Sequence, residues 1–460
     1  MELRETIAAL CAAQGPSGFE DHAAAAAAEV LRPLVDELHT DVLGNLIGVR
    51  RCGKENAPLV MLDAHLDQIG LIVTGYEGPF LRFACLGGVD PRMLPALEVE
   101  ILTKDRMQFG VIDVLPPHVL SEADRSKPIP MDKLYIDAGF SSEEEARAAV
   151  PQGTPVCFRT PCFSMGEHQI CSRSLDDRSC AAVLLAVAEK IREKKLSVDV
   201  AIHLAVQEEV GGRGALTGTY ALHPDYGVAV DVTFAETPET PKNKAMRLNG
   251  GPAIGVGPYI SRRISDRMET LAKERGIPYQ IEVMGRGTGT DADEIQTSRE
   301  GVVTGVVSLP LKYMHTPVEV IDLRDAQATV EKTSKAVTAL EEEAVKALTG
   351  ESKLDLAIVN QLLNKKKAEL DAANQEYDRI LQIIADEGQR LQEKVERLQE
   401  LQHWADIFDK ATRETQHMII AGLVERVDVG TGYDIQIKLR ISATQFFNPD
   451  NESTGIEQAS

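Results

Sequence analysis

The chain reads as an α/β protein: a three-layer α/β/α domain carrying a small inserted β-barrel, followed by a helical and β-hairpin tail. Short apolar runs alternate with amphipathic helical patterns as far as about residue 348. Between about residues 70 and 163, glycine and proline punctuate short β-like pieces instead. After residue 350, apolar residues recur every seven positions.

The first region is the most regular. After the N-terminal segment, six alanines follow His22 and lead into EVLRPLVDEL, which predicts a tightly packed helix because alanine is the strongest helix former. Leu59-Val60-Met61-Leu62 predicts a buried strand, Val198 to Val206 and Gly227 to Val232 two more, with a core-facing helix beginning just after Asp176 and Asp177. Ser261 to Arg275 predicts a helix, Tyr279 to Met284 and Val302 to Leu309 strands, and Asp325 to Leu348 a long closing helix. These elements assign 1–69 and 164–348 to one domain. The pieces LRFACLGG, LEVEILT, FGVIDVL and TPVCFRT make 70–163 a β-barrel inserted in a surface connection, which is easy where domain ends lie close together.

The tail, 350–447, has its own pattern. Leu363, Leu370, Tyr377, Ile384, Leu391 and Leu398 form one heptad seam, while Lys366, Lys367 and Lys394 interrupt the second, so a helical hairpin or short coiled coil is expected. Leu423 to Val429, then GTG, then Tyr433 to Ile441 predicts a β-hairpin. The polar stretch 448–460 is expected to be disordered.

Composition narrows the function. A formal net charge of −22 argues against a nucleic-acid or anionic-membrane surface, which needs clustered Lys and Arg. No run approaches the roughly 20 apolar residues of a membrane span. The start, MELRETIAALCAAQ, lacks a basic region followed by a long apolar core, and the seven scattered cysteines contain no CxxC pair. Both features fit a reducing cytoplasm.

Five short signals carry the chemistry: AHLD, LDDR, QEEVGGRGA, VDVT and YMHTP. Most adjoin an expected strand, and strand ends of an open α/β sheet converge on one edge. Together they offer two histidines and several carboxylates, a donor set suited to paired divalent cations. Singly, each has a plain structural reading. His65 at a strand end can be a core histidine, yet Asp67 two residues on is placed to orient its ring. Asp176 and Asp177 can supply a helix N-cap, but that uses one and leaves the other to bridge two cations about 3.5–4 Å apart. Glu208 and Glu209 would ordinarily mark a solvated helix face. Here they leave an apolar strand and enter a glycine-rich turn, where one can bind a cation and the other take a proton from water. Asp231 lies within the apolar run VAVDVTF, a costly place for an unpaired carboxylate, and His315 follows a strand.

The ordered set resembles the glutamyl and leucyl aminopeptidases also called tetrahedral aminopeptidases, over roughly residues 1 to 345. GPSGFE, GGVDPRMLP, GVIDVLPPHVL and LYIDAGFSSEEEA add to the likeness. The resemblance implies a two-metal aminopeptidase. His65, Asp176 and Asp231 would hold one ion; Asp176 would bridge to a second, completed by Glu209 and His315. It takes Asp176 over Asp177 because the family's bridging aspartate is the first of the pair. Glu208 would be the general base, Asp67 would orient His65, and Thr290 and Asp291 would contact substrate. The family's Gly-Gly-Thr-Asp-Ala segment reads Thr288-Gly289-Thr290-Asp291-Ala292 here, with Thr288 in place of the first glycine. Zinc or cobalt, peptide substrates and assembly of the barrel domain into a homo-oligomeric dodecamer follow from the same resemblance. The tail is similar to the C-terminal end of serine recombinases, without their catalytic domain, and reads as a fused fragment.

Two other functions compete. A catalytically weak scaffold would be expected to have lost a ligand, and the set is complete. A glycoside hydrolase needs two carboxylates flanking a sugar and no cation pair. Arg213 and Arg286 either favour acidic substrates or balance the carboxylates.

Overall fold

A computed structural model describes residues 2–104, 106–119, 122, 127–242, 244–348, 379, 382, 403, 407–432 and 434–439. The chain divides into two compact units, Met1–Lys353 and Leu354–Ser460.

In the first unit, strands β1 (Glu37–Thr40), β2 (Leu46–Arg50) and β3 (Leu59–His65) precede six barrel strands: β4 (Gly70–Glu77), β5 (Phe80–Leu86), β6 (Glu98–Leu102), β7 (Met107–Ile112), β8 (Ile136–Asp137) and β9 (Pro155–Phe158). The chain then returns through β10 (Phe163–Met165), β11 (Gln169–Ser172), β12 (Asp199–Ala205), β13 (Tyr226–Phe234), β14 (Ala253–Val256), β15 (Gln280–Val283), β16 (Val303–Lys312) and β17 (Glu319–Asp322). The main sheet runs β1-β2-β12-β3-β13-β16-β17-β11-β10, with β14 and β15 attached through β16, while β4-β5-β8-β7-β6-β9 closes a barrel.

The centre of the sheet explains the sequence pattern. β12, β3, β13 and β16 are mutually parallel, with Ala205 beside His65 and Asp231 beside Ser308. Strands covered on both faces must be apolar throughout, so they appear as unbroken runs rather than alternating ones. The helices of this unit are α1 (Leu3–Ala12), α2 (Asp21–Leu31), α3 (Glu143–Ala149), α4 (Leu175–Arg192), α5 (Arg213–Leu222), α6 (Arg262–Arg275), α7 (Ala292–Thr297) and α8 (Leu323–Leu348). Of these, α1, α2, α4 and α8 contribute to one large core, to which Leu62, Val200, Val228 and Val307 belong. The barrel has a separate core around Leu71, Val99, Ile101, Ile136 and Val156. A smaller cluster lies around Met61, Ala229 and Val306.

One expectation needed correction. The alanine-rich helix ends at Leu31; Arg32–Leu34 is a 3-10 turn and Glu37–Thr40 a strand. Pro33 lacks the N–H that an α-helix would need there. At α4, Asp176 and Asp177 have non-helical backbone angles, so the regular helix begins just after them, as expected.

In the second unit, a helix over Arg413–Leu423 starts at Thr412, whose hydroxyl accepts from the Thr415 N–H. It leads into an antiparallel hairpin of Val424–Val429 and Ile435–Leu439, pairing Val427 with Ile437 and Val429 with Ile435. The heptad seam from Leu363 to Leu398, strand residues 440–441 and the polar end 448–460 lie outside the described residues.

Candidate metal centre

The four central strands are parallel, so their C-terminal ends bring side chains to one edge. β3 ends at His65, β12 leads to Glu208 and Glu209, β13 carries Asp231, and β16 leads to His315. The start of α4 adds Asp176 and Asp177.

Asp176 stands at the middle. Its Oδ1 is 3.2 Å from His65 Nε2 and its Oδ2 is 3.4 Å from His315 Nε2. Glu209 Oε2 lies 3.4 Å from the same His315 nitrogen. Glu208 Oε2 is 3.9 Å from His65 Nε2. Two groups of potential ligand atoms fall within 4.8 Å of one another: His65 with Asp176 and Glu209, and His65 with Asp177 and Asp231. Asp177, which the resemblance passes over in favour of Asp176, belongs to the second group. It is fully buried; one oxygen accepts from the His65 N–H at 3.3 Å, and the other has no hydrogen-bond partner. Only Asp176 of the pair lies between the two imidazoles in these contacts.

Asp67 does more than face the imidazole. His65 Nδ1 is 3.1 Å from the Asp67 carbonyl and 3.4 Å from its carboxylate. That carboxylate also accepts from the main-chain N–H of Glu208 at 3.0 Å, from that of Glu209 at 3.2 Å, and from Ser17 Oγ at 2.7 Å. Gly211 and Gly212 follow with φ of 112° and 60°, angles open to glycine, and let the chain turn sharply into helix α5 (Arg213–Leu222).

Crowding shapes the electrostatics. Burial, reinforced by Asp176, pushes the Glu209 carboxyl well above its ordinary range. Burial raises Asp231 and Asp177 similarly, with neighbouring carboxylates adding to it, and takes Glu208 up to about 7. For His65, burial acts downward, but hydrogen bonds to Asp176 and Asp67 carry the imidazole well above its usual value. Asp67 goes the other way: burial would raise it, and His65 with Ser17 and the Glu208 N–H bring it below the usual carboxylate range.

Sequence reasoning missed three residues. Glu319, buried at the start of β17, accepts from the main-chain N–H of Asp176 at 3.1 Å and of His315 at 3.0 Å. The Gly88 carbonyl, beyond barrel strand β5, lies 3.1 Å from His315 Nδ1. Glu20 reaches the Gln207 N–H at 3.2 Å. Thr290 and Asp291 precede a short helix, Ala292–Thr297; Thr290 Oγ1 is 2.9 Å from Thr288 Oγ1, and both buried carboxylate oxygens of Asp291 lack a hydrogen-bond partner. Burial raises Asp291 well above its ordinary range, with Asp63 and Glu208 adding to it. Arg213 and Arg286 are exposed, and the Arg213 guanidinium bonds the Val210 carbonyl.

Known proteins are similar to this chain in sequence and in fold. The model of the M42 glutamyl aminopeptidase family matches residues 44–331. A lysyl aminopeptidase of Pyrococcus furiosus is 38% identical over 312 residues, 67% of this chain and 88% of its own. An aminopeptidase structure from the archaeon Desulfurococcus kamchatkensis superposes with a TM-score of 0.71 at 35% identity, covering 77% of this chain and 99% of its own. The Pyrococcus horikoshii TET1 peptidase, which can assemble into a tetrahedron or a large octahedral shell, gives a TM-score of 0.65 at 30% identity, covering 74% and 99%. The chain belongs to the M42 glutamyl aminopeptidase family, a family of metallo-aminopeptidases.

Proposed function

We propose that the protein removes N-terminal residues from peptides at the cluster centred on Asp176, with two divalent cations, zinc or cobalt. The observation that carries this reading is the position of one carboxylate between two imidazoles, 3.2 Å from His65 and 3.4 Å from His315, with Glu208 beside it. The donor set fits such ions. Burial raises these carboxyls, their acidic neighbours add to it, and a doubly charged cation offsets both. His65, Asp176 and Asp231 would hold one ion, and Asp176, Glu209 and His315 the other. When bound, the pair supplies Lewis-acid activation of water and polarisation of the scissile carbonyl.

The protein's own groups do the rest. Glu208 accepts the proton from the attacking water at its carboxylate and delivers it to the leaving amine. Asp67 fixes the His65 ring and the main chain of both glutamates. The free amino terminus of the substrate is bound by the surrounding carboxylates, with Thr290 and Asp291 lining its place. This selects peptide ends over internal bonds.

Assembly into a homo-oligomer through the barrel, a dodecamer by family resemblance, would admit peptides and keep out folded proteins. No helix among the described residues is long and apolar enough to cross a membrane. A cytoplasmic location and domain limits of 1–69 with 164–348, 70–163 and 350–447 complete the reading. The tail is taken as a fused recombinase-like fragment.

Glu208→Gln tests the mechanism. General-base loss predicts a fall in kcat of roughly 100-fold or more with cation content retained. A chelator should abolish wild-type activity, and Zn²⁺ or Co²⁺ should restore it. Near-normal turnover of an aminoacyl-nitroanilide by the variant would remove Glu208 from its role.

A further inference from the structure

Glu20 occupies the N-cap position of α2, yet its side chain makes no capping bond to that helix. The carboxylate points elsewhere: Oε1 accepts from the Gly18 N–H at 2.6 Å and from the Gln207 N–H at 3.2 Å. Glu20 is only 6% exposed, so this is a built contact rather than a surface encounter.

Its partner is equally telling. Gln207 has φ of 58°, in the left-handed region that side-chain-bearing residues rarely enter. It is the residue immediately before Glu208. The next two N–H groups, of Glu208 and Glu209, are both taken by Asp67. Three consecutive main-chain donors are therefore held by two buried carboxylates. Residues 15–17 tie those carboxylates together: Ser17 Oγ donates to Asp67, Ser17 N–H to the Gln68 carbonyl, and Gln68 N–H to the Gly15 carbonyl. Buried Arg178 fastens the same strip by bonding the carbonyls of Leu66 at 2.9 Å and Gly15 at 3.2 Å.

We propose that Glu20 is a positioning residue for the reaction, its carboxylate holding the left-handed turn at Gln207 that aims Glu208 at the water. This rests on Glu208 acting as the base. The N-terminal GPSGFE segment is then part of the catalytic scaffold, with its side-chain hydrogen bonds running to Asp67 and Gln207.

The test compares Glu20→Ala, Glu20→Gln and Glu20→Asp with Asp21→Asn, a neighbouring exposed control, in the full chain with saturating Co²⁺. Misplacement of the base predicts that Glu20→Ala lowers kcat by about 10–100-fold, with KM and bound cation within twofold of the parent. Glu20→Gln keeps an oxygen acceptor of the same reach and should recover to within a few-fold. Glu20→Asp withdraws the oxygen by one methylene and should fall between, which serves if the alanine variant does not fold. A purely structural role would lower the melting temperature and move all parameters together. Wild-type kcat in Glu20→Ala and Glu20→Asp, a loss confined to KM or cation content, or equal losses in the alanine and glutamine variants would each overturn the proposal. Glu208→Gln measured alongside separates the readings: turnover surviving there removes the base, whereas turnover surviving only in the Glu20 variants removes the positioning role alone.

Discussion

The two imidazoles that meet at Asp176 are held on opposite kinds of ground. His65 closes a central strand, and its side chain is 3% exposed. His315 sits in the turn between β16 and β17 with φ of 59°, and its side chain is 36% exposed. The first is fixed by the sheet and by Asp67. The second is held by one local contact, Glu319 on its main chain, and one remote one, the Gly88 carbonyl on its ring. One half of the centre is thus delivered by the core, and the other is assembled from loops and a barrel connection. A ligand held by the core loses little freedom on binding a cation, whereas one in a loop depends on contacts that fix its ring.

The sharpest way to break this contrast is to remove each imidazole in turn. His65→Ala leaves a buried gap, and cation affinity should fall by more than the roughly 10–100-fold typical of losing an orienting contact. At His315→Ala solvent can enter and replace the missing ligand, so the fall should be about tenfold smaller. Calorimetric titration of the metal-free variants with Co²⁺ measures both. Equal losses would mean that the halves are not differently built.

A smaller effect is expected from the contact between the barrel and His315. A Cβ at Gly88 would come within 2.8 Å of His315 Nδ1, so Gly88→Ala must displace the ring from its carbonyl partner. Cation affinity should drop about tenfold, the scale of an outer contact. Gly285→Ala is the control, since a Cβ there meets nothing within 4 Å. Unchanged titration of Gly88→Ala would show that the carbonyl does not orient His315.

The same contrast explains what could be read in advance. His65 and Asp231 were visible because a polar group inside an unbroken apolar run is costly and calls for a reason. Glu208 and Glu209 stood out against a glycine-rich turn. Gly88 acts through a carbonyl, which every residue possesses, so no side-chain pattern announces it. Glu319 and Glu20 each look like an ordinary acid at the edge of an element; their partners lie elsewhere in the chain, at Asp176 and Gln207. The central strands were legible because burial on both faces writes a continuous apolar run. The end of α2 at Leu31 was misjudged because the alanines outweighed the stop at Pro33. Asp177 was discounted in favour of its neighbour, and its bond to the His65 N–H depends on a non-helical start to α4 that sequence periodicity does not encode.

A buried charge far from the centre shows what burial does without a ligand to repay it. Lys332 on α8 is 2% exposed; its ammonium donates to the Met268 carbonyl at 3.1 Å and lies 4.8 Å from the centre of the Tyr279 ring. Burial pushes its pKa down to about 8, with Glu269 opposing. The unfolded chain therefore holds this proton more tightly, and folding carries a penalty that is complete below about pH 8. Stability should rise as the pH climbs from there toward the ordinary lysine value of 10.5. Lys332→Met removes the penalty together with one hydrogen bond to the Met268 carbonyl, so the net gain at pH 7 should be about 1 kcal/mol. Aminopeptidase turnover should not change. Urea unfolding of the parent and variant at pH 7 and pH 10 measures the difference, which should shrink at the higher pH. A variant less stable at pH 7, or an advantage constant with pH, would mean that Lys332 is compensated in place, as the acids of the centre are proposed to be by cations.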